Sequence, residues 1–175
     1  NIYAGTSNNG IYKSTDNGDT WTDISDQTIG MHYWTIWALG TNSQGDILLG
    51  AGGSLGIYKS TDGGDSWTQA ANGLTLNDAS RVEGFDLSNS GIIYASVYMS
   101  GVYMSSDHGD NWVSIGAGLP DFENLHDIIY TNNSNLFVAI DGYGIYRTSD
   151  NGGIWQQVNN GINDIATTVL TTAPD

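Results

Sequence analysis

The stretch Ser14-Thr-Asp16-Asn-Gly18-Asp-Thr-Trp21 returns three more times along this chain, with the shared pattern Ser/Thr-x-Asp-x-Gly-x-x-Trp. The other copies are Ser60-Thr-Asp62-Gly-Gly64-Asp-Ser-Trp67, Ser105-Ser-Asp107-His-Gly109-Asp-Asn-Trp112 and Thr148-Ser-Asp150-Asn-Gly152-Gly-Ile-Trp155. We call each copy a box. Successive box tryptophans are 46, 45 and 43 residues apart. A regular period of this length indicates a repeat protein in which each repeat is one supersecondary unit.

Each repeat contains several short apolar stretches, which predict β-strands. One begins with Gly-Ile/Val-Tyr before every box, at Gly10, Gly56, Gly101 and Gly144. Another precedes it, at Ile2–Gly5, Ile47–Gly50, Ile93–Ser96 and Leu136–Ala139, and the later repeats add a third around Ile36–Thr41, Val82–Leu87 and Leu125–Tyr130. With the short strand expected after each tryptophan, four antiparallel strands in about 45 residues match the size of a propeller blade. The sequence therefore predicts an all-β propeller of four blades.

The box residues have a structural reading. An aspartate in the turn between the third and fourth strands can accept backbone N–H groups, as Asx turns do. The glycine two positions later supplies a positive φ, and the tryptophan covers apolar space beside its blade. We therefore expect structural roles for Asp16, Gly18, Trp21, Asp62, Gly64, Trp67, Asp107, Gly109, Trp112, Asp150, Gly152 and Trp155.

The boxes resemble those of the Asp-box (BNR-type) families, and the resemblance covers the whole chain. These families include sialidases, xyloglucan-degrading glycoside hydrolases, sortilin-type receptors, a photosystem II assembly factor and many secreted bacterial repeat proteins. The resemblance implies a β-propeller and an extracellular or cell-surface protein of bacterial origin. It does not imply an activity, because one fold hosts many functions. A sialidase needs an arginine triad, and this chain has only Arg81 and Arg147, so that activity is not expected.

We treat residues 1–175 as a single propeller unit. Its blades are expected at about residues 1–29 together with 165–175, 30–74, 75–119 and 120–164. The tail Ile165–Thr172 lies where a fifth repeat would place its innermost strand, and pairing with the first blade would close the ring. Three arrangements stay open: a closed four-bladed ring, part of a larger ring, or two chains that complete one ring. Because the sequence begins at Asn1 without a leader, we expect a processed or excised segment.

The amino-acid composition of the chain limits the ligands and partners that it is expected to bind. The formal net charge of −15 repels nucleic acid and anionic lipid, and no run approaches the roughly 20 apolar residues that cross a bilayer. The absence of cysteine excludes disulfides and thiolate sites. The box spacing does not match a helix–loop–helix calcium loop, and His32, His108 and His126 lack zinc-like spacing. We expect neither a metal nor a cofactor.

Functional candidates are the residues that depart from the repeat. Trp37, Glu83, His126 and Thr167 occupy one equivalent position near the start of the innermost strand, yet all four differ. Such a set is predicted to face the mouth of the central channel. A second departure is the aromatic loop Met31-His-Tyr-Trp34 between the first two blades. The predicted binding residues are Tyr33, Trp34, Trp37, Glu83 and His126. Alternatively, Tyr33 and Trp34 pack against the neighbouring blade.

Glycoside hydrolysis needs two carboxyl groups about 5–10 Å apart. The acids outside the repeat are Glu83, Asp86, Asp121, Glu123 and Asp127, among which Glu83 and Asp127 are the candidate catalytic pair. Surface acids without a shared pocket are the competing interpretation.

Three hypotheses for function follow. The first is a non-catalytic extracellular propeller that binds carbohydrate or protein through the channel mouth and inter-blade loops. A glycoside hydrolase using paired carboxylates is the second, and a structural segment of a large secreted protein is the third. Self-association that completes a larger propeller is compatible with each.

Overall fold

The computed structural model describes residues 1–120 and 124–173, apart from the side chain of Thr28. Regular structure in these residues consists of β-strands and three short 3-10 turns, Gln27–Ile29, Met31–Tyr33 and Gly53–Leu55. The all-β prediction is confirmed. No helix in the described residues is long and apolar enough to span a bilayer.

The strands form four antiparallel sheets that follow one another along the chain. The first sheet contains β1 (Ile2–Gly5), β2 (Ile11–Ser14) and β3 (Thr22–Asp23). The second contains β4 (Ile36–Thr41), β5 (Ile47–Ala51), β6 (Ile57–Ser60) and β7 (Thr68–Gln69). The third contains β8 (Arg81–Leu87), β9 (Ile93–Tyr98), β10 (Gly101–Ser105) and β11 (Val113–Ser114). The fourth contains β12 (Leu125–Tyr130), β13 (Leu136–Ile140), β14 (Gly144–Thr148) and β15 (Gln156–Gln157).

Within each sheet, strands that are consecutive in the chain are also neighbours. The first strands β4, β8 and β12, which we call the inner strands, contact one another in turn, and β1 contacts β4. The sheets therefore stand side by side, joined along their inner strands. Because β5 is covered on both faces, all of its residues are buried, and its sequence Ile47-Leu-Leu-Gly-Ala51 does not alternate with polar residues.

Three hydrophobic cores fill the spaces between successive sheets. The first joins Ile11 and Met31 to Leu49 and Trp67, and the second includes Leu48, Val82, Tyr103 and Trp112. The third includes Tyr94, Ile115, Leu125 and Val138, with Trp155 packed against it. Each core draws residues from two sheets, so no sheet has a core of its own.

Each box aspartate stabilises its turn by accepting hydrogen bonds from a residue before it and from a residue after it. In the second box, the Ser60 hydroxyl donates to Asp62 at 2.8 Å and accepts the Gly64 N–H at 2.8 Å. Asp62 also accepts the backbone N–H of Ser66 at 2.9 Å and its hydroxyl at 2.6 Å. The glycines Gly18, Gly64, Gly109 and Gly152 have φ values of 99°, 100°, 91° and 90°.

The remaining boxes repeat this arrangement with one difference. Hydrogen bonds from the side chain and backbone of Thr20, and from Ser14, lower the pKa of Asp16 to about 2. Ser66 and Ser60 do the same for Asp62, and Asn111 with Ser105 for Asp107, each to about 2. In the fourth box the pKa of Asp150 is lowered mainly by the Thr148 hydroxyl and the Ile154 N–H, because isoleucine offers no side-chain donor.

The box tryptophans connect each sheet to the preceding one. The indole N–H of Trp67 donates to the Ile24 carbonyl at 3.2 Å, that of Trp112 to Ala70 at 2.9 Å, and that of Trp155 to Ile115 at 2.8 Å. Each acceptor follows the last strand of the preceding sheet. Among the described residues no sheet precedes the first one, and Trp21 is 43% exposed whereas Trp67 and Trp112 are 6% and 2% exposed.

The first sheet differs from the prediction. It has three strands, and the fourth strand expected from residues 165–175 is absent among the described residues. Residues 165–173 form no strand, and they hydrogen-bond to the fourth sheet at Gly142 and Asp127. Closure of the ring stays a prediction.

Protonation of the box carboxylates should lower the stability of the protein at acid pH. Because hydrogen bonding depresses the pKa of Asp62 from 3.8 to about 2, its contribution is complete above its ordinary pKa and is lost as pH falls towards 2. We expect Asp62→Asn to be less stable than the wild type at pH 6, with a difference that shrinks steadily below pH 4. Urea unfolding at a series of pH values measures this difference. An equal difference at pH 6 and pH 2 would contradict the role given to the carboxylate.

Candidate ligand-binding groove

Three of the predicted binding residues share one backbone feature. The pairing of each inner strand with its neighbour shifts register at one residue: Trp37 in β4, Glu83 in β8 and His126 in β12. A β-bulge leaves its extra residue unpaired and redirects the side chain. The variable position found in the sequence is therefore a bulge that recurs in all three inner strands.

A groove of about 460 Å³ lies beside the first two bulges. We call it the Trp37 groove. Its lining residues are Trp37, Gly52, Gly53, Asp78, Ala79, Ser80, Arg81, Tyr98 and Met99. They come from the second and third sheets, at the end where the inner strands begin. Trp37 is 48% exposed, so part of its side chain remains accessible to a ligand.

Arg81 lies between the aromatic residues of the groove. Its guanidinium carbon is 3.7 Å from the centroid of the Tyr98 ring and 4.9 Å from that of Trp37. The same guanidinium donates to the carboxylate of Glu83, whose side chain is 14% exposed. The His126 ring lies 6.4 Å from the Tyr98 ring, centroid to centroid. Trp37, Arg81, Tyr98 and His126 thus form a continuous row across three inner strands.

The backbone of Gly52 makes room for the indole. A Cβ added at Gly52 would lie 3.1 Å from the indole nitrogen of Trp37, a closer approach than most side chains tolerate. Tyr98, the last residue of β9, has the position in the third sheet that Gly52 has in the second. The groove is therefore asymmetric: Trp37 lies over a glycine, whereas Arg81 lies over a tyrosine.

Met99 has an unusual backbone conformation for its residue type. Its φ is 63°, in the left-handed region that favours glycine and asparagine. The equivalent positions in the other three repeats are Asn8, Gly53 and Gly142, with φ values of 94°, 68° and 78°. The turn thus demands a positive φ in every repeat, and only the third meets it with a bulky side chain. Strain of this kind is often found at functional sites.

In the aromatic loop, one of the two large aromatic residues packs against the core and the other is exposed. Trp34 is half-buried in the first core, and its ring centroid is 4.7 Å from that of Tyr58. Tyr33 is 74% exposed and contacts His32, but it does not line the Trp37 groove. The packing of Trp34 agrees with the alternative interpretation of this residue, in which it covers the neighbouring sheet.

The acids outside the repeat serve mostly as hydrogen-bond acceptors for the backbone. Asp127 accepts the N–H groups of Ile128 and Leu170 at 2.9 and 2.8 Å. Asp86 accepts those of Leu87 and Tyr130 at 2.7 and 2.5 Å. Asp121 and Glu123 lie outside the described residues. Asp78 is the only carboxylate among the described residues that line the groove.

Among residues 1–120 and 124–173, no group of three or more histidine or acidic side chains is placed to hold a metal ion. The box carboxylates are instead occupied by hydroxyl and backbone donors of their own turns.

Sequence reasoning missed Arg81, Tyr98 and Met99, although the signal for them was present. Each occupies a repeat position at which the other copies carry different residues: Arg81 corresponds to Thr35, and Tyr98 to Gly52. The repeats thus differ at the ends of the second strands as well as in the inner strands, and these differences indicate the other side of the groove.

Comparison with known proteins supports the fold. No family model matches the chain, and no curated protein sequence does. Among solved structures, a GH74 enzyme from Niastella koreensis is similar with a TM-score of 0.69 and 21% identity, over 89% of this chain and 27% of that one. The structure described as YCF48 bound to D1 peptide has a TM-score of 0.60 and 16% identity, over 87% of this chain and 47% of that one.

A third similar structure is PorZ, a bacterial surface component of the type-IX secretion system of Porphyromonas gingivalis. Its TM-score is 0.54 at 14% identity, over 77% of this chain and 22% of that one. The chain thus spans about a quarter of the GH74 enzyme and less than half of the other two. At these identities the likeness shows the fold alone: the four sheets are blades of a β-propeller.

The strain at Met99 can be measured by a reciprocal exchange. Met99→Asn should raise the free energy of unfolding by about 1 kcal/mol, because asparagine tolerates a positive φ that costs other residues roughly 1–2 kcal/mol. Asn8→Met places the bulky residue at the equivalent turn of the first sheet and should lower stability by about the same amount. Chemical denaturation of both variants tests this, and a loss of stability in Met99→Asn would contradict it.

Proposed function

We propose that this chain is a non-catalytic, extracellular β-propeller segment that binds a neutral carbohydrate in the Trp37 groove. The observation that carries the proposal is the half-exposed Trp37 beside Arg81, whose guanidinium also stacks on Tyr98. Aromatic rings supply large apolar faces with little conformational freedom to lose, and polar neighbours fix the orientation of a ligand. A sugar ring has one apolar face and a rim of hydroxyl groups, which suits this arrangement.

The charge of the groove favours a neutral ligand. Arg81 is paired with Glu83, so the guanidinium is already compensated, and Asp78 adds a negative charge at the rim. The chain as a whole carries a formal charge of −15, which opposes the approach of polyanions. The remaining guanidinium N–H groups can still donate hydrogen bonds to hydroxyl groups.

Binding is favoured over hydrolysis by the state of the candidate carboxylates. Glu83 is largely buried against Arg81, and Asp127 is used by two backbone N–H groups. Hydrolysis by the usual mechanism needs an acid and a second carboxyl group on the two sides of one glycosidic bond. Among the described residues, the groove offers Asp78 alone. A hydrolase that uses Glu83 with Asp127 is therefore the weaker candidate.

An extracellular or cell-surface location is part of the same proposal. PorZ, which has a similar fold, is a surface component. A carbohydrate ligand is also most accessible outside the cell. A protein ligand for the same groove is the main alternative, and the structure of YCF48 with a peptide illustrates that a protein of similar fold can be bound to one.

The proposal predicts that binding depends on the groove and not on exposed aromatic residues in general. A glycan array identifies a neutral oligosaccharide, and calorimetry then measures its affinity for each variant. Trp37→Ala and Tyr98→Ala should each weaken binding by about tenfold or more, a loss that corresponds to about 1.4 kcal/mol. Tyr33→Ala is the matched control, because Tyr33 is more exposed than Trp37 but lies outside the groove.

Three results would contradict the proposal. Loss of affinity in Tyr33→Ala with none in Trp37→Ala would move the site to the aromatic loop. Failure of the array to detect any glycan would reject carbohydrate as the ligand. Release of new reducing ends from a bound glycan, abolished by Glu83→Gln and Asp127→Asn, would make the protein a hydrolase.

A further inference from the structure

An arginine and a glutamate that both depart from the repeat contact each other in the third sheet. Arg81 and Glu83 are two residues apart in β8, and the Nε–H of Arg81 donates to the carboxylate of Glu83. The inner strands of the second and fourth sheets have different residues at these positions, Thr35 with Trp37 and Asn124 with His126. The ion pair therefore belongs to the third repeat and is not required by the fold that the repeats share.

The guanidinium of Arg81 has a defined place in the Trp37 groove. Arg81 lies directly opposite Tyr98 in the pairing of β8 with β9, which explains why its guanidinium stacks on the Tyr98 ring. Within residues 1–120 and 124–173, Glu83 is the one hydrogen-bond acceptor that the guanidinium has. Arginine carries five N–H donors, and the bond to Glu83 uses the one at Nε. The N–H groups of the two terminal nitrogens therefore remain for a ligand.

Glu83 determines how much positive charge a ligand meets at Arg81. The two side chains are 27% and 14% exposed, so solvent ions screen their interaction only in part. A guanidinium without a partner would bind a carboxylate through two parallel hydrogen bonds. Beside Glu83, a ligand carboxylate would instead lie close to another negative charge, and Asp78 adds a further one at the rim. A sugar hydroxyl group meets no such repulsion.

We infer that Glu83 is the specificity-determining residue of the Trp37 groove, and that it excludes acidic sugars such as uronic acids. It leaves N–H groups of Arg81 available to sugar hydroxyls, while its own charge prevents the same groups from binding a sugar carboxylate. Discrimination of this kind depends on a repulsive element as much as on attractive contacts. The inference rests on the proposed carbohydrate function. Glu83 acts through Arg81 and is therefore a positioning residue.

Uronic acids and their methyl esters are matched probes, because esterification removes the charge and keeps the sugar. Calorimetry measures the affinity of the wild-type chain for trisaccharides of glucuronic acid and of galacturonic acid, each as the free acid and as the methyl ester. We expect the esters to bind about tenfold or more tightly than the acids. Equal affinities for acid and ester would overturn the inference, and this comparison does not depend on the folding of any variant.

Glu83→Gln tests the residue itself. The side-chain oxygen of glutamine can accept the same hydrogen bond from Arg81, so the substitution removes a charge and keeps a partner for the guanidinium. The ratio of ester affinity to acid affinity should fall by about tenfold or more. Asp78→Asn is the matched control, because it removes the same charge from an exposed side chain that is not paired with Arg81. Its effect on the ratio should be smaller and should disappear at about 1 M salt, which screens exposed charges.

Several outcomes would overturn the inference and leave the proposed function intact. One is a ratio that does not change in Glu83→Gln, or that changes equally in Asp78→Asn, since Glu83 would then be only a part of the general negative charge. Another is a parallel loss of ester and acid binding in Glu83→Gln, which would indicate a purely structural role. A third is binding of neutral glycans but of no ester, because exclusion would then not depend on charge. If the wild type binds neither neutral glycans nor esters, carbohydrate is rejected as the ligand, and the inference with it.

Discussion

The hydrogen bond from a box tryptophan to the carbonyl of the preceding sheet is the constraint on which the architecture depends. It places the indole of Trp112, for instance, inside the core that the second and third sheets share. An indole N–H buried without an acceptor would be costly, so each tryptophan requires its neighbour in a fixed position. The carboxylate of the box contributes indirectly, because it holds the turn from which the tryptophan extends. Stability is thereby distributed over the interfaces between sheets.

Because the boxes have these structural roles, the candidate ligand-binding residues lie outside them. The box aspartates are engaged in their own turns, and the tryptophans of the last three boxes are engaged in contacts between sheets. By contrast, the bulges at Trp37, Glu83 and His126 take one residue out of each inner strand's pairing. A repeated backbone feature thus presents a side chain that the fold does not constrain. Met99 is a similar case. The turn with a positive φ is common to all four repeats, but the residue type at that position differs between them.

Much of the fold could be predicted from the sequence because every repeat contains several short motifs, each of which indicates a turn or a strand. The boxes and the Gly-Ile/Val-Tyr strands indicated the sheets, and the residues after each tryptophan indicated the short last strands. The conformation of the tail, which forms no strand among the described residues, could not be predicted in this way. Residues 165–172 have the composition of a strand, but whether a strand forms depends on whether an unpaired strand edge lies beside them. Composition does not specify such an edge.

The candidate site was predicted in part. Trp37, Glu83 and His126 emerged from comparing repeats at one position, whereas Arg81 and Tyr98 required knowledge of which strand ends meet across two sheets. Trp34 shows the limit of composition, since an aromatic residue outside the repeat is a core residue as readily as a ligand contact. Its packing on Tyr58 is a property of the assembled sheets.

Hydrogen exchange of the tryptophan indole N–H groups, followed by NMR, tests whether the indole bonds hold successive sheets together. The indoles of Trp67, Trp112 and Trp155 donate to the preceding sheet and should exchange slowly. Trp21 and Trp37 are 43% and 48% exposed, and their indole N–H groups should exchange quickly. Uniform exchange among these five tryptophans, or protection of Trp21 equal to that of Trp112, would contradict this role of the indole bonds.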